Sequence, residues 1–335
     1  MNGNCENKTM KLSRRSALAL PLIGLSRPAF ASNVRPLAMV MNSGEASISL
    51  IDMDTHQVIS TVPTLREPSH WALSPDRSKL YIADASGNSL FILDPLTGAS
   101  LGHKVTADPY QLGYTPDQKY LVVNALRLNY VDIYNASTLN LVKRFAPGSM
   151  PSHLDFSPDS KWSFNSCQGG NILASFDLGI MTTRWIVKVG PTPAGVLWHN
   201  NKILVCIMGS DHIAEVDPMS GAVLRRVKTG DGAHNLFLSP DRATIYVSNR
   251  IGGSVTAIDP TTLAVRRNYV LPGGPDDMGI APDGNLWISL RFAEQVAVLN
   301  PETGNYSVIN VGRSPHGIFL NTQMQKSGEL TAEVL

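Results

Sequence analysis

The stretch Pro68-Ser69-His70-Trp71-Ala72-Leu73-Ser74-Pro75-Asp76 comes back as Pro109-Tyr110-Gln111-Leu112-Gly113-Tyr114-Thr115-Pro116-Asp117 and again as Pro151-Ser152-His153-Leu154-Asp155-Phe156-Ser157-Pro158-Asp159. Looser copies start at Pro193, Ala233 and Pro275, and a last one, Pro315-His316-Gly317-Ile318-Phe319-Leu320, lies near the C-terminus. Seven copies spaced about forty-one residues apart mark a repeat architecture, in which no single unit buries its apolar face alone.

Each copy opens a unit of the same make-up. After the Pro-Asp turn comes a run such as Lys79-Leu80-Tyr81-Ile82-Ala83, then a polar turn, then a second run ending in Asp, as in Ser254-Val255-Thr256-Ala257-Ile258-Asp259. A tight turn of the Asp94-Pro95-Leu96-Thr97-Gly98 kind leads into a further run. Short Val/Ile/Tyr-rich segments between regular turn signals are strands. Four of them per unit make a propeller blade, and no stretch shows sustained helical periodicity. The ends complement each other. Residues 37–42, 47–52 and 57–62 read as second, third and fourth strands with no first, and 315–320 as a first strand with almost nothing after it. The expectation is an all-β, seven-bladed β-propeller of four-stranded antiparallel blades, its ring closed by the N- and C-terminal strands so that no sheet edge is left open. It spans 32–322, followed by a tail at 323–335.

Residues 1–31 read as an export signal. Lys11-Leu12-Ser13-Arg14-Arg15 is a basic region, Ala17 to Leu25 an apolar one too short to span a membrane, and Ala29-Phe30-Ala31 a small-x-small cleavage site. The paired arginines after Ser13 resemble a twin-arginine signal, with ordinary secretion and then a retained anchor the alternatives. The expected location is periplasmic or secreted, with no membrane span once the signal is removed. A net charge of +1 with 16% charged residues, and no basic patch, argues against nucleic acid. Cys167 and Cys206 remain in the mature chain; free buried thiols, a disulfide, and copper or zinc thiolates are the open readings.

The inner strand of a blade lines the central channel, and the loop entering it opens on the same face as the loop between second and third strands. Loops from every blade converge there, which makes this mouth the expected site. The entering phrases bring His70, Gln111, His153, Gly195, His234, Asp277 with Asp276 before it, and His316. Four of the eight histidines fall at nearly one repeat position, while His56, His103, His199 and His212 are scattered. The second-to-third-strand loops add Asn42, Asp84, Asn124, Asn165 and Asn249, whose recurrence turn capping explains, and also Arg250 and Arg291. Two guanidiniums suit a carboxylate or phosphate ligand. Three readings of the histidines stay open: neutral hydrogen-bonding groups, ligands to a metal ion or haem iron, and a general acid or base paired with Asp277 or Asp276. A wide channel with exposed rim residues argues against all four histidines on one ion; a macrocycle, or one ion held by a subset of His70, His153, His234 and His316, fits better.

Phrases such as Leu236-Phe237-Leu238-Ser239-Pro240-Asp241, Ile245-Tyr246-Val247-Ser248-Asn249 and Val255-Thr256-Ala257-Ile258-Asp259 resemble the YVTN-type propeller repeat, and the likeness to exported YncE-like proteins covers 36–320. Within the wider group, the d-type-haem propellers of nitrite reductases hold a tetrapyrrole with histidine. Streptogramin B lyases, which use a histidine and a divalent ion, carry blades like Pro282-Asp283-Gly284-Asn285-Leu286-Trp287-Ile288 and a Pro-His-Gly-Ile phrase as at 315–318. Residues and resemblance together give the expectation of a monomeric propeller whose mouth takes a cofactor (a transition or divalent metal ion, or a haem-type tetrapyrrole) or a small anionic ligand. A lyase or lactonase, and a platform for a periplasmic protein partner, are the other expectations. Fold likeness alone does not transfer an activity.

Overall fold

Capping geometry written into the repeated phrase turns the chain at fixed intervals. In the Ser-Pro-Asp turn the Ser74 hydroxyl donates to Asp76 Oδ1 at 2.6 Å and accepts from the Lys79 amide at 2.9 Å. Thr115 with Asp117, Ser157 with Asp159 and Ser239 with Asp241 repeat the donation. The opposite turns are Asx turns: Asp94 Oδ1 accepts from the Leu96 and Thr97 amides, both at 2.9 Å, and Asp52, Asn135, Asp177, Asp217, Asp259 and Asn300 do the same in the other blades. Side-chain oxygens that satisfy turn amides are the reason these residue types recur.

The computed structural model describes residues 1–3 and 34–324. The expected export signal therefore falls, almost whole, outside the described residues, as does most of the tail. Between Leu37 and Leu320 the chain forms seven antiparallel sheets of four strands each. Blade one takes its inner strand, Pro315–Leu320, from the C-terminus, paired with Leu37–Asn42, then Ser47–Asp52 and Gln57–Pro63. The inner strands of blades two to seven are Pro68–Leu73, Pro109–Tyr114, Pro151–Phe156, Pro193–His199, Ala233–Leu238 and Pro275–Ile280. Each inner strand packs on the next, and Pro315–Leu320 touches both Pro275–Ile280 and Pro68–Leu73, so the ring closes.

The core is layered between blades. Seven buried clusters each join two neighbouring blades; Met39, Met41, Ile48 and Leu50 of blade one, for example, pack on Leu80, Ile82, Phe91 and Leu93 of blade two. Second strands are therefore buried on both faces, as Leu80–Asp84 and Leu286–Leu290 are throughout, while the outermost Gln57–Pro63 is largely exposed. Cys167 and Cys206 are both buried and free, with no disulfide between them. Burial pushes the Cys167 thiol up to about 12. Among the described residues no helix is long and apolar enough to cross a membrane.

One local irregularity prepares the site. All seven inner strands shift register immediately after their first residue, as at Pro68/Trp71, Ala233/Asn235 and Pro275/Met278. A bulge re-aims the side chains it contains. The residues inside these shifts include His70, His153, His234, His316, Asp276 and Asp277.

Candidate functional site at the channel mouth

The bulges bring His70 of blade two, His153 of blade four, His234 of blade six and His316 of blade one edge to edge. Ring centroids are 4.4 Å apart for His70 and His316, 5.1 Å for His70 and His153, 5.1 Å for His153 and His234, and 6.2 Å for His234 and His316. The shortest contact joins neighbouring blades; the others reach across Tyr110, Gly195 and Asp276 of the blades between. Gly195 is required at its place, because a Cβ there would lie 2.6 Å from Asn235 Cα and 2.8 Å from the His234 carbonyl. Gly317 likewise admits blade two, its Cβ position being 2.3 Å from the Ser69 carbonyl oxygen. Small residues let the backbones approach until the imidazoles meet.

This corrects the sequence expectation of a wide channel with exposed rim groups. His153, His234 and His316 are 0% exposed and His70 3%. Burial holds all four imidazoles neutral at pH 7: it takes His70 down to about 3 and the other three below their usual value, against the opposing pull of the Asp276 carboxylate. His70 Nδ1 lies 3.1 Å from the Tyr110 carbonyl, which only accepts, so Nδ1 carries the proton and Nε2 keeps a lone pair. His70 Nε2, His153 Nε2 and both nitrogens of His316 are buried with no hydrogen-bond partner. Tyr110 caps the group, its ring 4.8 Å from His70 and 5.7 Å from His316.

Asp276 rather than Asp277 is the hub. It is 0% exposed, with Oδ1 2.7 Å from His234 Nδ1, though without the alignment of a hydrogen bond, and Oδ2 3.6 Å from His316 Nε2. Arg250 pairs with Oδ1 through Nε at 3.2 Å and through Nη2, and Arg291 Nη1 reaches Oδ2 at 3.2 Å. Burial alone would raise the Asp276 carboxyl; the Arg250 charge, the largest opposing cause, helps hold the group well below the usual carboxylate range. Arg250 Nη2 also donates to His234 Nε2 at 2.6 Å, which leaves the His234 proton on Nδ1, facing Asp276. Asp277 stands aside, accepting from Asn235 Nδ2 at 2.7 Å. Burial, then the Asp276 charge, pushes it up to about 7.

The arginines are placed by the backbone as well as by charge. Arg250 N donates to the Gly232 carbonyl and Arg291 N to the Gly274 carbonyl, both at 2.9 Å, tying each loop to the entry of its own inner strand. The recurring Asn42 and Asn249 are turn supports, as expected, each donating to two hydroxyls of the following strand. Sequence reasoning missed Ser248 and Ser289. Ser248 accepts from Asn235 N at 3.2 Å and donates to the Asp276 carbonyl of the next blade at 2.7 Å. Ser289 accepts from Asp277 N at 3.0 Å and donates to the His316 carbonyl at 2.5 Å. Their shared place in the second strand, in Val247-Ser248 and Ile288-Ser289, was the available signal.

Chemically, the group offers neutral imidazole donors, one ionised carboxylate and two guanidiniums in a water-poor setting. His234, Asp276 and His316 each present a ligand atom within 4.8 Å of the other two. His70 and His153 are the flanking imidazoles of the ring.

A family model described as YNCE-like beta-propeller matches residues 16–325. No curated protein matches the chain significantly. Among solved structures it is similar to the Kuenenia stuttgartiensis hydrazine synthase, at 22% identity over 75% of this chain and 88% of that one, with a TM-score of 0.64. The periplasmic gluconolactonase PpgL of Pseudomonas aeruginosa matches at 17% identity over 85% and 98% of the two chains, with a TM-score of 0.67. The dihydro-heme d1 dehydrogenase NirN matches at 16% identity over 91% and 78%, with a TM-score of 0.64. At these identities the likeness is one of fold.

Proposed function

The chain belongs to the YNCE-like β-propeller family, and from that premise we propose that it is an exported propeller whose channel mouth binds a divalent transition-metal ion among His70, His153, His234, His316 and Asp276. The observation that carries this reading is the set of buried imidazole nitrogens without a partner, His70 Nε2, His153 Nε2 and both of His316, beside a carboxylate kept ionised. A buried polar atom left unpaired costs about 1–3 kcal/mol, and a ring of them calls for an occupant that accepts lone pairs. Neutral imidazole with carboxylate suits Zn, Cu, Ni, Co and Fe. The Nδ1 proton of His70 resting on the Tyr110 carbonyl is the orienting contact usual for a metal-bound histidine. The ligand atoms of His234, Asp276 and His316 lie closest to a common point, so one ion held by this subset, with His70 and His153 flanking it, fits better than one ion on all four histidines.

Two other expectations find less support. A tetrapyrrole needs an imidazole standing free above the mouth, whereas these are buried against one another. A general base paired with Asp276 would have to be His234 or His316; the Nε2 of His234 is taken by Arg250, and that of His316 lies 3.6 Å from the carboxylate without a hydrogen bond.

The test is metal analysis of protein recovered from the periplasmic fraction with its own leader, followed by a Co2+ titration of the chelator-stripped protein. One bound equivalent is expected, with affinity at least about tenfold weaker in His316→Ala and unchanged in His103→Ala. Protein that stays in the cytoplasm overturns the export half of the reading. No Co2+ binding, or equal loss in both variants, overturns the metal site.

A further inference from the structure

The metal's carboxylate and one of its imidazoles are already engaged. Arg250 holds Asp276 Oδ1 and His234 Nε2, and Arg291 holds Asp276 Oδ2, so both oxygens of the central carboxylate face guanidinium. Among the described residues Asp276 is the sole ion-pair partner of Arg291. Two guanidiniums converge on one carboxylate, so positive charge is already gathered where a divalent ion would enter. A divalent cation entering next to them meets repulsion and must compete for Asp276. An oxyanion resolves both difficulties. It offers the guanidiniums anionic acceptor oxygens in place of the two that Asp276 offers now, and it neutralises the charge that the metal adds. Access favours the exchange: the side chains of Arg250 and Arg291 are 13% and 24% exposed, that of Asp276 0%.

We propose that the mouth is a paired site, in which a small oxyanion (a carboxylate, phosphate or sulfate group) binds between Arg250 and Arg291, releases Asp276 and His234, and so couples its own binding to that of the metal. The inference rests on the metal reading above and adds its second ligand. In the metal-free, anion-free state the arginines act as a latch on the metal's donors; with both ligands present, each guanidinium and each donor has a partner. Linkage makes the effect reciprocal: whatever factor the anion adds to metal affinity, the metal adds to anion affinity.

Co2+ is titrated into the metal-free protein in sodium chloride and in sodium sulfate at equal ionic strength. The expected result is at least about tenfold tighter Co2+ binding in sulfate, a coupling of ordinary size. In Arg250→Gln/Arg291→Gln the two salts should give the same affinity, and Co2+ in chloride should bind more tightly than to the wild type, since the latch is gone. That second result is opposite in sign to what loss of a merely structural pair would give. Equal wild-type affinities in both salts, or weaker Co2+ binding by the double variant in chloride, overturn the coupling while leaving the metal site standing. Absence of Co2+ binding in either salt overturns the metal reading itself. Should the double variant not fold, the wild-type comparison decides alone.

Discussion

Asp276 and Asp277 are neighbours in sequence and opposites in chemistry, and the difference is set by what each touches. Asp276 is ionised because its guanidinium partners, Arg250 foremost, offset its burial; Asp277 is pushed up to about 7 by burial and by Asp276 itself. Asp276→Asn leaves two guanidiniums over an uncharged amide, and removing one partner of a buried pair costs about 3 kcal/mol. Asp277→Asn keeps the oxygen that accepts from Asn235, so its effect depends on pH. A carboxyl whose folded pKa lies above its unfolded one binds more protons folded than unfolded, and the stability it contributes at acid pH is lost as pH rises through the folded value. Relative to wild type, Asp277→Asn should therefore gain stability between about pH 4 and 7 and level off above. Thermal melts of both variants from pH 4 to 9 check this; a parallel offset at every pH would show that Asp277 is ionised throughout. The sequence made the membership of this group legible, because His70, His153, His234, His316, Asp277, Arg250 and Arg291 share two repeat positions. It did not make legible which of the two aspartates takes the arginines, since a one-residue offset inside a bulge decides that.

Bulges belong to the scale of elements, and here they set the site's geometry. A residue with positive φ precedes six of the seven inner strands: Asp108, Met150, Thr192, Gly232, Gly274 and Ser314. The register shift follows at once. A regular strand would send alternate side chains to opposite faces; the shift frees one or two residues per blade from that rule and turns them toward the neighbouring blades. Ser248 and Ser289 then pin the freed backbone to the next blade. Ser289→Ala would strand the Asp277 amide and the His316 carbonyl in a buried setting, an expected loss of about 2 kcal/mol. Because the carbonyl belongs to a proposed metal ligand, Co2+ affinity should fall too, whereas Ser100→Ala on an exposed outer strand should change neither. Urea melts and the Co2+ titration decide; an unchanged affinity with lowered stability would confine Ser289 to packing. Such irregularities escape a sequence reading because the phrase carries them in every copy, and what every copy has cannot mark one position as special.

At the scale of the whole molecule the repeat leaves little undetermined. Strands expected at 37–42, 47–52 and 57–62 are observed at Leu37–Asn42, Ser47–Asp52 and Gln57–Pro63, and the closing strand at Pro315–Leu320. Periodicity alone places strands in sheets, and the incomplete blades at the two ends place the closure. Depth was the part not legible: no pattern along the chain states how far seven entry loops fold inward, so imidazoles expected on an open rim are found buried. Closure also carries an energetic consequence. An open array of blades has stability that sums over neighbours, but here Pro315–Leu320 pairs with Leu37–Asn42 and packs on both adjoining inner strands. Asn321 locks the joint, its Oδ1 accepting from the Leu37 amide at 2.7 Å and its Nδ2 donating to the Arg35 and Leu96 carbonyls at 2.9 and 3.0 Å. Removal of residues 315–335 would bare the edge of Leu37–Asn42 and open the clusters that blade one shares with blades two and seven. The loss is not confined to blade one, because every remaining blade is held in place by a ring that no longer closes. The truncated chain is expected to lose its cooperative transition in thermal and urea unfolding, and Asn321→Ala to lower the midpoint while keeping a single transition. A truncated chain that melts cooperatively within ~2 °C of the full one, a shift worth only about 1 kcal/mol or less, would mean that blade stacking alone holds the molecule and that closure contributes nothing.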